Sequence, residues 1–328
     1  MALLRMAAMG APVIAISDKV AGMLGEHAAA RGVPVTFVRV DQDGSLLDEA
    51  GEIGAVLATG LPPAHLSRLL REHASIRWVA AQSAGVDGVL VPEIAERGIT
   101  LTRVRHVHDA YVAEFSIALI LAAAKRLQEI VLAQQRKEWL HMQPSLVRDK
   151  TLAIVGYGEI GRALAKLARA FEMRILGVRM RPRPDKLADE VWGAERLDDA
   201  LRQADFVVLA VPGGGSRKHL IGEKQLGLLR KEAFLINVGR GEVVDEVALD
   251  RVLRQEGFAG ALIDTFEVEP LPQDSPLWTN PRVLVTAHLA GLRAAPVGDT
   301  VLDQLVENMA RFSRGEPLMN EVEVSRGY

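Results

Sequence analysis

Three residues of this 328-residue chain combine the side-chain types and the placement that catalysis needs. Arg240 in NVGRGEVVDE, Glu269 in DTFEVEPLP and His288 in TAHLAG each come shortly after an apolar run that reads as a strand. A guanidinium grips a carboxylate through paired, charge-assisted N–H bonds. An imidazolium can pass a proton to an oxygen as negative charge develops on it, and a neighbouring carboxylate orients the ring and favours its charged form. Their joint use is economical in the reduction of a keto group that sits beside a carboxylate. Arg240 would hold the acid and polarise the keto oxygen, His288 would protonate that oxygen, and Glu269 would support His288. Each residue also has a plainer reading: Arg240 as a loop ion pair with Glu242 or Asp245, Glu269 as part of a solvated acidic loop with Asp264, Glu267 and Asp274, and His288 as a structural histidine. Their shared position past successive strands favours the catalytic reading.

Such a reduction needs a hydride, and the stretch 150–181, KTLAIVGYGEIGRALAKLARAFEMRILGVRMR, names a source. Thr151–Val155 reads as a strand. Gly156, Gly158 and Gly161 then form G-x-G-x-x-G, Arg162–Phe171 has helical spacing, and Arg174–Val178 reads as a second strand. Gly156 permits the tight turn, Gly158 lets backbone approach a pyrophosphate, and Gly161 lets helix and strand meet closely. The turn Gly156–Tyr157–Gly158–Glu159–Ile160–Gly161 is therefore expected to hold a dinucleotide at the positive end of a helix. An acidic residue at the end of the second strand would accept the ribose hydroxyls of NAD. Here that position, 18 residues after Gly161, is Arg179, followed by Arg181 and Arg183. Guanidinium forks suit a 2′-phosphate, so NADP(H) is the expected cofactor, with NAD(H) as the alternative.

The elements that must position these groups alternate along the chain. Before the glycine turn, strands are expected at Pro12–Ser17, Val33–Val40, Ala55–Ala58, Arg77–Ala80 and Ile99–Val104, with helices at Lys19–Arg31, Pro63–His73 and Val91–Arg97. After it come strands at Asp205–Val211, Ala233–Val238, Gly260–Ile263 and Val283–Thr286, and a closing helix at Val297–Arg314. One long helical stretch ends near Trp139. Alternation of this kind predicts an α/β protein with two doubly wound parallel-sheet domains. A flavodoxin-like substrate domain (1–105 plus 290–328) and a Rossmann dinucleotide-binding domain (106–289) are expected to flank a cleft.

Composition excludes several classes. A net charge of −3 without long basic runs gives no field for nucleic acid. The most apolar helix, near 112–124, contains Glu114 and is too short to cross a bilayer. The N-terminal MALLRMAAMG superficially resembles a targeting segment but runs into a strand-like VIAIS. The chain has no cysteine, which removes disulfides, thiolate metal sites and a cysteine nucleophile. His106-Val-His108-Asp109 is a close cluster without a specific third ligand, so no metal is expected. A cytoplasmic protein is the reading that fits.

Taken with AQSAGVDGV, VAEFSIALILA, LAVP and DTFEVEPLPQDSPLW, these motifs make the chain resemble the D-isomer-specific 2-hydroxyacid dehydrogenases, particularly the NADP-dependent glyoxylate/hydroxypyruvate reductases. The resemblance implies the same roles for Arg240, Glu269 and His288. It adds that backbone at Ser83, Ala84 and Gly85 cups the substrate carboxylate. Val211, Pro212, Asn237, Val238, Gly239, Asp264 and His288 would line the nicotinamide side, and a homodimer would form through the long helix. The chain departs from family habit at Arg179 and at PGGGSRKHLI, whose Gly213–Gly215 run leaves the contacts of that loop open. The alternative from another class is a dinucleotide-sensing corepressor-like protein with little turnover.

Overall fold

The structure is a computed structural model that describes residues 11–41, 43–83, 85–86, 88–213, 217–292 and 299–324. Ala84, Gly214, Gly215 and the N-terminal run considered for targeting lie outside the described residues. Backbone proximity divides the chain into two compact units, 1–107 with 294–328, and 108–293.

The first unit contains β1 (Val13–Ser17), α1 (Asp18–Ala30), β2 (Thr36–Val40), β3 (Ala55–Leu57), α2 (Pro63–Glu72), β4 (Trp78–Ala80), α3 (Pro92–Glu96) and β5 (Thr100–Thr102). Its five strands lie in the order β2-β1-β3-β4-β5, every pair parallel. β3 and β4 are buried on both faces, as parallel strands covered by helices must be. Trp78 packs against Phe312 with the ring planes tilted by 42° and donates its indole N–H to Thr102 at 2.9 Å.

The second unit contains α4 (Asp109–Lys125), α5 (Leu127–Gln135), β6 (Thr151–Val155), α6 (Glu159–Ala170), β7 (Arg174–Val178), β8 (Glu190–Trp192), α7 (Leu197–Gln203), β9 (Phe206–Leu209), α8 (Glu223–Leu226), β10 (Phe234–Asn237), α9 (Glu246–Arg254), β11 (Gly260–Ile263) and β12 (Val283–Val285). α10 (Asp299–Arg314) then buries Val301, Leu305 and Met309 in the core of the first unit. The seven-stranded parallel sheet runs β12-β11-β10-β9-β6-β7-β8. Chain order reverses at β6, between β9 and β7, and the carboxyl ends of β6 and β9 flank that reversal, where ligands bind in open α/β sheets. Alternate residues feed two cores: Ala153, Val207 and Leu235 on one face, Leu152, Ile154 and Ile236 on the other.

α6 owes its place to its apolar stripe. Gly161, Leu164, Ala165 and Ala168 face the sheet at helical spacing, and truncating Leu164 to alanine costs about 2–5 kcal/mol by analogy with other core leucines. α4 buries Val112, Ser116, Leu119, Ile120 and Ala123 in the same core. The long helix expected to reach Trp139 is broken instead. Arg126 adopts φ +54°, and the Ala124 carbonyl, freed from the helix, accepts Ser145 N–H at 3.0 Å. Among the described residues, no helix is long and apolar enough to cross a membrane.

Candidate active site

Gly156 and Gly161 have the steric roles that the spacing predicts. Gly156 has φ +95°, and a Cβ there would meet the Ala210 carbonyl oxygen at 2.5 Å, so the turn joining β6 to α6 admits only glycine. A Cβ on Gly161 would lie 3.0 Å from both Gly156 O and Ile154 Cγ2, which is how closely helix meets strand. At Gly158, the N-cap of α6, a Cβ would meet nothing nearer than 3.9 Å. Open space in front of a helix N-terminus suits a pyrophosphate, so the cradle fits a dinucleotide. Spacing gives no sign of what Tyr157 does. Its ring is fully buried against Gly177, where a Cβ would lie 2.6 Å from the ring, and its N–H donates to Val178 O at 2.9 Å.

Arg179 follows directly on β7, its backbone tied to Trp192 O at 3.0 Å. The nearest carboxylate downstream, Asp185, is already engaged: it forms an ion pair with Arg162 and accepts Leu187 N–H at 3.0 Å. Among the described residues, the side chains of Arg179, Arg181 and Arg183 make no hydrogen bond or ion pair. Burial first, and then the charges of Arg183 and Arg162, push the Arg179 guanidinium down. Mutually repelling cations around Arg179 are stabilised by an added anion.

The three groups proposed for chemistry belong to this same unit. Glu269 Oε2 lies 2.7 Å from His288 Nδ1, and Glu269 Oε1 accepts Phe266 N–H at 2.9 Å. A carboxylate only accepts, so Nδ1 carries a proton and the other ring nitrogen, Nε2, is left for a substrate. Burial alone would raise the Glu269 carboxyl. The hydrogen bond from His288, the Phe266 amide and the charges of His288 and Arg240 outweigh it, leaving Glu269 below its ordinary value. Glu269 is therefore ionised at neutral pH. The His288 side chain is 50% exposed, so the pair is open to a ligand.

Arg240 is set by the turn after β10. Asn237 is fully buried; its amide donates to Arg240 O at 3.0 Å and accepts Gly239 N–H at 3.1 Å. Gly239 itself abuts Val211, whose carbonyl oxygen would lie 2.7 Å from a Cβ there. Val211 and Val238 are thus brought together beside the Gly156 turn at the ends of β9 and β10, with Pro212 exposed next to them. Gly213 accepts two bonds from Arg217, at 3.0 and 2.6 Å.

Asp264 has a role that spacing does not disclose. Its fully buried carboxylate accepts Thr286 Oγ1 at 2.6 Å and the amides of Leu289 and Ala290 at 2.9 Å each, while its carbonyl accepts His288 N–H at 2.8 Å. These four bonds hold the turn in which His288 adopts φ +52°. His108 closes the far side, its Nδ1 3.0 Å from Gly291 O. In the first unit, Ser83 Oγ donates to Gly85 O at 2.5 Å in the loop after β4.

A model of the D-isomer specific 2-hydroxyacid dehydrogenase NAD-binding domain matches residues 117–290, more than half of the chain. The chain belongs to this family. Within it, the glyoxylate reductase of Korarchaeum cryptofilum is 36% identical over 250 residues, 74% of each chain. A D-isomer specific 2-hydroxyacid dehydrogenase from Xanthobacter autotrophicus Py2, solved with NADPH and MES, superposes with a TM-score of 0.86 at 27% identity, covering 98% of this chain and 100% of that one. The NADPH-dependent glyoxylate/hydroxypyruvate reductase of Sinorhizobium meliloti, solved with NADP and malonate, gives 0.75 at 28% identity over 96% and 97% of the two chains. The seven-stranded unit of this dehydrogenase accordingly binds a nicotinamide dinucleotide.

Proposed function

We propose that this dehydrogenase reduces a small 2-keto acid, glyoxylate, hydroxypyruvate or a similar compound, to the D-2-hydroxy acid, with NADPH preferred over NADH. The observation that carries the reading is the 2.7 Å contact of Glu269 with His288 Nδ1, in the unit that also holds Arg240 and the glycine turn. The dinucleotide supplies the hydride. Arg240 binds the substrate carboxylate and polarises the keto oxygen. His288 gives that oxygen the proton on Nε2, and the ionised Glu269 offsets the imidazolium charge before transfer and keeps the ring aligned. In the reverse direction neutral His288 takes the proton back. The relatives named above are enzymes, so turnover rather than sensing is the proposed role. A screen of NADPH oxidation against 2-keto acids tests it: cofactor binding with no acid consumed would contradict it.

The NADP preference is supported by Arg179, Arg181 and Arg183, which carry no internal partner among the described residues, and by Asp185 being taken up by Arg162. One charge-assisted hydrogen bond is worth about 1.5–3 kcal/mol. Arg179→Asp is therefore expected to lower kcat/KM for NADPH by roughly tenfold to a hundredfold while leaving NADH use within about threefold. An unchanged ratio of the two efficiencies, or wild-type preference for NADH, counts against it.

We also propose a homodimer through the region of α4 and α5. Ile130, Val131 and Leu132 on α5 are exposed, and Trp139 beyond it is 88% exposed, an apolar surface that a second copy would cover. Light scattering is expected to give twice the chain mass for the wild type and the single mass for Val131→Asp combined with Trp139→Asp. A monomeric wild type contradicts the proposal. A cytoplasmic setting belongs to the same reading, because the hydride donor is an intracellular cofactor.

A further inference from the structure

Glu246 is the first residue of α9, yet its side chain serves another element. Its Oε1 accepts Glu267 N–H at 2.6 Å, one residue along from the Phe266 amide that Glu269 accepts at 2.9 Å. Two carboxylates, one from α9 and one from within the stretch itself, thus take successive amides of one stretch of chain. That stretch, residues 264–275, contains no helix or strand, so side chains must satisfy and fix its backbone. Its other side is bounded by Gly241, where a Cβ would collide with the carbonyl of Phe266 and the amide of Glu267.

Service to its own helix does not account for Glu246. The N-cap of α9 is Asp245, whose Oδ1 accepts Ala248 N–H at 2.9 Å. An extra acidic residue in a first turn gains from the helix dipole while pointing to solvent, whereas Glu246 is turned inward at a cost. Burial raises its carboxyl; the Glu267 amide opposes this, the charges of Glu267 and Glu269 add to it, His219 opposes it, and the net direction is upward. The neighbouring charge on Glu267 is met by His219, whose Nε2 lies 2.5 Å from Glu267 Oε1. His219 is fixed in turn through its backbone N–H to Glu242 O at 2.7 Å.

We propose that Glu246 is a positioning residue for the catalytic pair, clamping the Phe266–Glu269 stretch so that the Glu269 carboxylate stays in register with His288. The proposal rests on the Arg240–Glu269–His288 reading given above. It acts through the acceptor oxygen of Glu246, not through its charge. Glutamine can replace it; alanine, and aspartate with its shorter reach, cannot.

The test compares Glu246→Ala, Glu246→Asp and Glu246→Gln with the wild type in two measurements. Amide hydrogen exchange at Phe266 and Glu267, which needs no turnover, is expected to be faster by about tenfold or more in the alanine and aspartate variants and near wild type in the glutamine variant. Steady-state kcat for keto acid reduction is expected to fall by about tenfold in the first two, with KM for the dinucleotide unchanged and most of kcat recovered in Glu246→Gln. Wild-type exchange and kcat in Glu246→Ala or Glu246→Asp would overturn the proposal. So would a glutamine variant as impaired as the alanine one, since charge would then be the property that matters. If the wild type reduces no 2-keto acid, the reading of the site fails, and the exchange rates alone still decide whether Glu246 clamps the loop.

Discussion

Replacing His288 with alanine is expected to lower kcat for 2-keto acid reduction by about 10² or more while leaving dinucleotide affinity within about twofold of wild type. The split follows from geometry. The imidazole is held at Nδ1 by Glu269 and offers Nε2 outward, so its loss removes the proton donor. The glycine turn proposed to hold the dinucleotide, Gly156–Gly161, is built by β6 and α6, and the variant leaves its backbone intact. Because the His288 backbone is pinned by Asp264, the substitution should not unravel the turn. Rapid-mixing turnover with titration of cofactor fluorescence reads both quantities. Undiminished kcat in the variant would remove His288 from the acid/base role.

Arg240→Ala is expected to be comparably damaging in a different currency of kinetics. Losing a bidentate, charge-assisted grip on a carboxylate forfeits about 3 kcal/mol or more of binding in both ground and transition states. The expected outcome is a fall in kcat/KM for the keto acid by about 10² to 10³, with KM rising steeply and dinucleotide affinity unchanged. Arg240→Lys should recover little, because an ammonium keeps the charge but lacks the planar fork. A keto acid KM close to wild type in Arg240→Ala would show that another group carries the carboxylate.

Much of this architecture is legible in the order of residues, for identifiable reasons. Strands buried on both faces appear as short apolar runs: β6, β9 and β11 are buried throughout, and β7, β10 and the edge strand β12 coincide with apolar runs as well. Gly156 and Gly161 are legible because steric limits on a turn and on helix–strand contact leave only glycine. Arg240, Glu269 and His288 are legible because polar residues just past strand ends have few structural reasons to be there.

What escapes the sequence is local and three-dimensional. α7 and α8 span seven and four residues, too short for a helical period to declare itself, and β8 is a three-residue edge strand. α9 carries a readable signal, an Asp245 cap before Leu249 and Leu253, but its apolar residues follow a run of turn-like ones. The long helix breaks at Arg126 where its last turn is tied to a distant residue, Lys125 Nζ donating to Ser145 O and Ser145 N–H donating to Ala124 O, bonds that no helix propensity reports. Side-chain direction is equally hidden. Tyr157 lies inside the glycine motif yet points into the core, and Asn237 and Asp264 spend their polar atoms on the turns carrying Arg240 and His288. The signal for such residues is their type: a buried carboxylate or amide next to such a turn must find several donors or acceptors, and the turn backbone supplies them.

Keto acid reduction is read most directly from the rate at which glyoxylate and hydroxypyruvate deplete the near-ultraviolet absorbance of NADPH in the presence of the wild-type chain, followed by chiral analysis of the hydroxypyruvate product. Saturable consumption of both acids is expected, with D-glycerate formed from hydroxypyruvate. A protein that binds the dinucleotide tightly but consumes neither these nor larger 2-keto acids would contradict it.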